Sequence, residues 1–370
     1  MTKILLSTGG TGGHIFPILS LYQNLKKLKK IEDVKIITDE RAKKLIGIEN
    51  IKIIKSDSPF RKKGIIHLIK TIFYIFTSTF KCFIFLICFN PKIIIGSGGY
   101  VSAPVLIASL ILRKRIILYE TNAILGRVNR LFLPYCVKLL SGYSEVINFP
   151  KKYKKKFCYV GQLVRNEFLK ICKDEIHIKD EIHIKNKTLK ILILGGSQGA
   201  KVFGEKLPQC FKILEQKKIK LSIKQQVKKE QLDKINKFYE ENINSDILLF
   251  EFKKNVEHYI IDSDIVICRS GSSTIAELST LNKPFIAIPL PSSLDNHQYY
   301  NAKYYFDKNC CWLLDENSKN FEHEIIKILQ DIYETELLLI TKKKKLYELN
   351  KKNVIGNFVK EIFNNNGFTD

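Results

Sequence analysis

Three short glycine turns hold most of the chemistry this chain could do. Gly9-Gly10-Thr11-Gly12-Gly13-His14 and Gly195-Gly196-Ser197-Gln198-Gly199 each follow an apolar run and open a helical pattern, and Gly96-Ser97-Gly98-Gly99-Tyr100 follows the run ending at Ile95. Glycine lets backbone amides come close to a phosphate, and the helix that follows turns its positive end toward it. Neither of the first two turns completes GxxxxGK[ST], which argues against nucleoside triphosphate hydrolysis. GxGxxG is also incomplete, because Ile15 stands where the third glycine would fall after Gly10 and Gly12. Asp39, at the end of the second apolar run, still keeps a dinucleotide as a rival ligand. One such turn alone is often only structural; three at strand ends are harder to dismiss.

His14 starts the first helix, where an imidazole could take a proton from a hydroxyl near neutral pH; the plainer alternative is a histidine that caps or packs. In the second half, Arg269-Ser270-Gly271-Ser272-Ser273-Thr274 follows the apolar run Ile265 to Cys268 and precedes a helix containing Glu277. The hydroxyls suit a helix cap. A carboxylate at Glu277 can accept two hydrogen bonds from a ribose diol, although the helix dipole alone would also favour an acid there. Further on, Asp295-Asn296-His297-Gln298 gathers amide and carboxylate groups that suit sugar hydroxyls, with helix capping as the alternative. Asp262-Ser263-Asp264 resembles a metal-binding pair, but it precedes its strand and reads as a turn.

The elements that must position these residues alternate between strand and helix, with a βαβ opening from Lys3 to Thr38. KILILGGSQGAKVF at 190–203 repeats the layout of KILLSTGGTGGHIF at 3–16, so two doubly wound α/β domains of similar size are expected. Ligands of such sheets sit beyond the carboxyl ends of the strands, so two facing domains would make a cleft. Further strands are expected at Ile93 to Ile95, Arg115 to Tyr119 and Val137 to Ser141. Lys170 to Lys187, with DEIHIK twice in tandem, reads as a surface connection.

The 370 residues carry 61 basic and 37 acidic side chains, a net charge of +24, and only eight of the basic residues are arginine. Runs such as Lys342 to Lys345 lack the interleaved aromatics of a nucleic-acid site, and Lys151 to Lys156 holds one tyrosine and no glycine, so most of this charge reads as solvated lysine, and no nucleic-acid partner is expected. Nine cysteines without CxxC or ligand-like spacing fit a reduced, cytoplasmic chain with no structural metal. The opening residues are too short in apolar length for a signal peptide.

Thr71 to Phe89 carries eleven Ile, Leu and Phe residues and one charge, Lys81. As a bilayer span it would put the turns near residues 10 and 97 on opposite sides, so it reads as a helix that lies on or in the protein. Ile69, Phe73, Phe76 and Phe80 form one helical stripe, with Arg61, Lys62, Lys63, Lys70 and Lys81 around it. Periodicity alone favours core packing over an interfacial patch that meets anionic lipid.

Taken in order, GGTGGHIFP, GSGGYVSAP, GGSQGA, CRSGSSTIAE and DNHQYYNA resemble the peptidoglycan N-acetylglucosaminyltransferase family of the GT-B glycosyltransferase class, over nearly the whole chain. The resemblance implies a GT-B architecture of two Rossmann-like domains. Residues 1–162 would bind acceptor and membrane, residues 163–347 would bind UDP-GlcNAc, and a helix at about 348–370 would pack back on the first. It implies an inverting transfer of N-acetylglucosamine from UDP-GlcNAc to the 4-hydroxyl of the muramoyl sugar of undecaprenyl-linked lipid I. No obligatory cofactor and no metal would be needed. The enzyme would be peripheral to the cytoplasmic face of the inner membrane, serving cell-wall growth, shape and division. Another GT-B enzyme, a UDP-sugar epimerase or a different lipid glycosyltransferase, is the alternative.

For the site, the resemblance implies that Ser197, Gln198 and Gly199 meet the UDP phosphates, together with Ser270 and Gly271. Glu277 would take the ribose, Phe252 and Lys253 the uracil region, and His297 with Gln298 the GlcNAc hydroxyls, Arg165 and Arg269 assisting. Gly12, Gly13, Gly98, Gly99 and Tyr100 would hold the acceptor diphosphate, with Thr11, His14 and Asn122 near the reacting hydroxyl. His14 is the expected base, and the resemblance moves the aromatic stripe to membrane association. Glu120-Thr121-Asn122, Gly161-Gln162-Leu163-Val164-Arg165 and His297-Gln298 each depart by a residue or more from the family's EQN, GNPVR and QQ.

Overall fold

The structure is a computed structural model that describes residues 1–10, 12–42, 51–55, 65–174, 188–196, 199–253, 255–350 and 353–364. It divides into two units, Met1–Arg165 with Lys351–Asp370, and Asn166–Asn350.

The first unit runs β1 (Thr2–Ser7), α1 (Gly12–Leu25), β2 (Ile31–Thr38), β3 (Ile51–Ile53), α2 (Ile65–Phe89), β4 (Ile93–Gly96), α3 (Ser102–Ile111), β5 (Arg115–Glu120), α4 (Arg127–Phe132), β6 (Lys138–Ser141) and β7 (Phe157–Tyr159). Its seven strands are parallel and ordered β3-β2-β1-β4-β5-β6-β7. Strands covered on both faces need apolar side chains on both, which is why these segments read as continuous Ile and Leu runs. Leu5, Ile94, Ile116 and Leu118 pack beneath α2 and α3, with Leu86 and Leu106. Ile4, Leu6, Ile95, Ile117 and Tyr119 pack on the other face under α1. That second face is also covered by α13 (Val354–Phe363), whose Phe358 and Ile362 are fully buried in it.

The second unit runs α5 (Asn166–Asp174), β8 (Thr188–Leu194), α6 (Lys201–Gln216), β9 (Lys220–Gln226), α7 (Leu232–Asn242), β10 (Asp246–Phe250), α8 (Glu257–Asp262), β11 (Ile265–Cys268), α9 (Ser272–Thr280), β12 (Phe285–Ala287), α10 (His297–Phe306), β13 (Trp312–Leu313), α11 (Phe321–Glu334) and α12 (Leu337–Leu349). Its six parallel strands are ordered β10-β9-β8-β11-β12-β13, the same winding as the first sheet. The strand order therefore reverses between β1 and β4 in one unit and between β8 and β11 in the other. Those are the two places where a doubly wound sheet opens a crevice for a ligand.

Two sequence expectations need correction. Lys170 is not in a connecting segment but in α5, an amphipathic helix whose Phe168 is fully buried; the DEIHIK repeat beyond Asp174 lies outside the described residues. The stripe on α2 is not core. Ile69, Phe73, Phe76 and Phe80 are 60%, 61%, 72% and 60% exposed, while Thr71, Ser78, Cys82, Leu86 and Phe89 form the buried face. The helix is apolar on both sides, so periodicity could not choose between them. It does not cross a bilayer: β1 before it and β4 after it are hydrogen-bonded neighbours. Arg61, Lys62 and Lys63 lie outside the described residues.

Candidate active site

In the first unit the chemistry collects at the carboxyl ends of β1, β4 and β5. Gly9 is demanded by close approach: a Cβ there would lie 2.3 Å from Cγ2 of Val101, the residue that follows the Gly96–Tyr100 turn. The two turns are further joined through buried hydroxyls that the sequence reading passed over. Ser97 Oγ donates to Thr8 Oγ1 at 3.0 Å, Thr8 Oγ1 donates to the His14 carbonyl at 2.8 Å, and Ser102 Oγ donates to the Gly98 carbonyl at 2.8 Å.

His14 sits in the first turn of α1 with its Nδ1 2.8 Å from the Ser97 carbonyl oxygen and 3.5 Å from Thr121 Oγ1. A carbonyl can only accept, so Nδ1 carries the proton and Nε2 keeps a lone pair. Burial pushes the imidazole pKa below its ordinary value, and the Ser97 hydrogen bond opposes that shift. The ring is thus held neutral, in the tautomer a general base requires.

The loop after β5 is organised by Glu120, which is buried and, among the described residues, has no cation paired with it. Its Oε1 accepts from Asn122 N at 3.0 Å and Asn122 Nδ2 at 3.3 Å, and its Oε2 accepts from Gly126 N at 2.9 Å and Asn129 Nδ2 at 2.8 Å. Burial pushes the Glu120 carboxyl up, against the pull of these four donors. Asn129 in turn lies under Gly98, whose Cβ, if present, would be 3.2 Å from Asn129 Nδ2. One carboxylate therefore ties Asn122 to the turn carrying Gly98, Gly99 and Tyr100. Nothing in the spacing of Glu120, Asn122 and Asn129 announces this.

Below it, the Tyr119 hydroxyl accepts from Leu163 N at 3.0 Å, and its ring meets Phe358 edge-on at 5.1 Å. Arg165 lies over the Phe16 ring at 5.1 Å. Asp39, the residue that kept a dinucleotide in play, is already engaged: Arg41 pairs with Oδ2 at 2.6 Å and Ala42 N donates to Oδ1.

In the second unit the turn after β8 is clamped by Gln226 at the end of β9. Its Oε1 accepts from Gly195 N at 3.0 Å and its Nε2 donates to the Gly196 carbonyl at 2.9 Å. Gly271 caps α9, and Glu277 is buried on that helix. Asn301 Nδ2 donates to the Ser270 carbonyl at 3.3 Å, joining α10 to the same turn. Gln298 Oε1 accepts from Leu290 N, and His297 Nδ1 lies 2.8 Å from the Leu294 carbonyl, beside Asp295 and Asn296, which both have φ of 53°. Phe252 is exposed after β10, and Lys253 Nζ donates to the Tyr259 hydroxyl at 3.0 Å.

Arg269 has a different place from the one expected. It is buried, paired with Glu316 at 2.5 Å, stacked over Phe203, and donates to the Ile288 and Pro289 carbonyls. Its guanidinium joins the ends of β11 and β12. Asp262 is shared between Lys190 and Lys224, and Asp264 accepts from Lys190 N, so both serve the turn. Thr11, Ser197 and Gln198 lie outside the described residues.

Two parallel sheets wound alike, each with a glycine turn at its reversal point, define a protein of GT-B architecture. The models of the glycosyltransferase family 28 N-terminal and C-terminal domains match residues 4–141 and 190–359. A Rickettsia felis protein named UDP-N-acetylglucosamine–N-acetylmuramyl-(pentapeptide) pyrophosphoryl-undecaprenol N-acetylglucosamine transferase is 37% identical over 341 residues, 91% of this chain and 93% of its own. Among solved structures, Acinetobacter baumannii MurG superposes with a TM-score of 0.77 at 23% identity, covering 98% of this chain and 99% of that one. A Neisseria meningitidis UDP-GlcNAc 2-epimerase bound to UDP-GlcNAc gives 0.63 at 13% identity, over 97% and 98%, a likeness of fold alone. The chain belongs to the family of the N-acetylmuramyl-(pentapeptide) pyrophosphoryl-undecaprenol N-acetylglucosamine transferases.

Proposed function

We propose that the protein transfers N-acetylglucosamine from UDP-GlcNAc to the 4-hydroxyl of the muramoyl sugar on lipid I, forming lipid II with inversion at the anomeric carbon. The observation that carries this is the 37% identity to the R. felis transferase across both units. The epimerase reading has only the shared fold behind it.

In this reading His14 Nε2 takes the proton of the attacking hydroxyl as the oxygen bonds to the anomeric carbon and the bond to UDP breaks. The support is its neutral tautomer, set by Ser97. Asn122, oriented by Glu120, holds the acceptor sugar, and the amides of Gly12, Gly13, Gly98 and Gly99, with Tyr100, receive the lipid diphosphate. On the donor side Phe252 and Lys253 take uracil, Glu277 the ribose, and His297 and Gln298 the GlcNAc hydroxyls. Amides around Gly199, Ser270 and Gly271, with Ser197 and Gln198, stabilise the departing diphosphate. Arg165 assists, and Arg269 acts through the loops it holds.

The acceptor's lipid tail requires a membrane surface. The exposed face of α2 supports peripheral attachment at the cytoplasmic face, with Ile69, Phe73, Phe76 and Phe80 entering the headgroup layer of an anionic membrane. The test of function is incubation with labelled UDP-GlcNAc and a lipid I analogue. Acceptor-dependent UDP release with a disaccharide lipid is expected; UDP binding without sugar transfer would overturn the acceptor assignment.

A further inference from the structure

The sheet order of the second unit puts β9 between β8, which carries the glycine turn, and β10, which leads into Phe252 and Lys253. A nucleoside diphosphate with its base at Phe252 and its phosphates at the turn must pass over the carboxyl end of β9. Lys228 stands there, two residues beyond the strand.

Lys228 follows Gln226, whose side chain clamps Gly195 and Gly196, and Val227, whose N–H donates to the Phe250 carbonyl at 2.9 Å. Both neighbours are thus tied to the two elements the nucleotide would bridge. The lysine stem lies along the turn itself. Gly199 has φ of +66°, and a Cβ there would meet Lys228 Cγ at 2.7 Å and Cε at 3.1 Å. The side chain is half-buried, and among the described residues no carboxylate pairs with it. Other lysines near this edge are engaged: Lys224 by Asp262 and Lys253 by the Tyr259 hydroxyl.

We infer that Lys228 is a further donor-binding residue, its ammonium meeting the diphosphate of UDP-GlcNAc and of the departing UDP. This rests on the donor site proposed above. A charged hydrogen bond to phosphate strengthens as negative charge builds on the leaving group, so the residue serves turnover as well as binding. Gly199 is then needed twice, for its left-handed backbone and for the space the lysine stem fills.

The experiment compares UDP and uridine binding to the full chain by calorimetry at low and moderate salt. Lys228→Met keeps the stem against Gly199 and removes the charge. It should weaken UDP about 10-fold, the scale of one charge-assisted hydrogen bond, leave uridine unchanged, and flatten the salt dependence of UDP binding. Lys228→Arg should retain most of the UDP affinity. Unchanged UDP affinity in Lys228→Met, or equal losses for UDP and uridine, would overturn the assignment, the second result meaning that the lysine only packs. If the wild-type chain binds neither UDP nor uridine, the donor site itself is wrong and this inference falls with it.

Discussion

His14 Nδ1 and the carbonyl oxygen of Ser97 are 2.8 Å apart, although 83 residues separate them in the chain. The contact joins the helix after β1 to the turn after β4, and it decides which nitrogen of the ring can act as a base. His14→Ala should lower turnover by about 100-fold or more. Steady-state rates with both substrates check it; a variant with normal turnover would remove His14 from the chemistry.

The pH dependence follows from the direction of the His14 shift. Burial lowers its pKa below 6.5, so the neutral base persists as pH falls through 6.5 and activity is lost only at lower pH. Between the folded and unfolded pKa values the unfolded chain binds more protons, so this residue's contribution to stability falls as pH drops below 6.5 and levels off beneath the folded pKa. A profile of kcat/KM against pH whose acidic limb has its midpoint above 6.5 would contradict this.

Glu120 accepts from Asn122, Gly126 and Asn129, while Asn129 Nδ2 also donates to the Tyr119 carbonyl at 3.2 Å and Asn122 Nδ2 to Thr121 Oγ1 at 3.4 Å. Glu120→Ala would remove the acceptor of the Gly126 N–H and one partner each of Asn122 and Asn129, so with about 1–3 kcal/mol for a buried donor left unsatisfied a loss of about 2 kcal/mol or more is expected in denaturant unfolding. Turnover should fall with it through Asn122, while UDP affinity stays at the wild-type value. A fall in UDP affinity would mean that the effect is general unfolding.

Tyr119→Phe removes only the hydroxyl that accepts from Leu163 N. The cost should be about 1–2 kcal/mol, the range for a buried donor left without its partner. Faster amide hydrogen exchange at Leu163 than in wild type is the specific readout.

Phe76→Glu with Phe80→Glu places charge on the exposed face of α2. Folding should be little changed, because both rings are already in water; binding to anionic vesicles should fall more than 10-fold, since each inserted Phe contributes about 1.5–3 kcal/mol. Unchanged vesicle binding would remove α2 as the attachment surface.

Much of the fold could be read before the structure because the physics behind it is local. Strands covered on both faces must be apolar throughout, phosphate-binding turns must be rich in glycine, and the layout at 3–16 returns at 190–203. Those constraints leave their mark residue by residue. The order of strands does not, and the site depends on it. Setting β1 beside β4 brings Ser97 to His14; setting β9 beside β8 brings Gln226 and Lys228 to the glycine turn. Arg269 carries a charge that the family resemblance assigns to a ligand, but burial against Glu316 directs it inward. Helix α2 has two apolar faces, and only the sheet beneath it determined which one meets the core. Residue types and periods specify what each segment can bury or bind; long-range strand pairing decides which groups then meet, because it acts between residues whose separation in the chain carries no pattern.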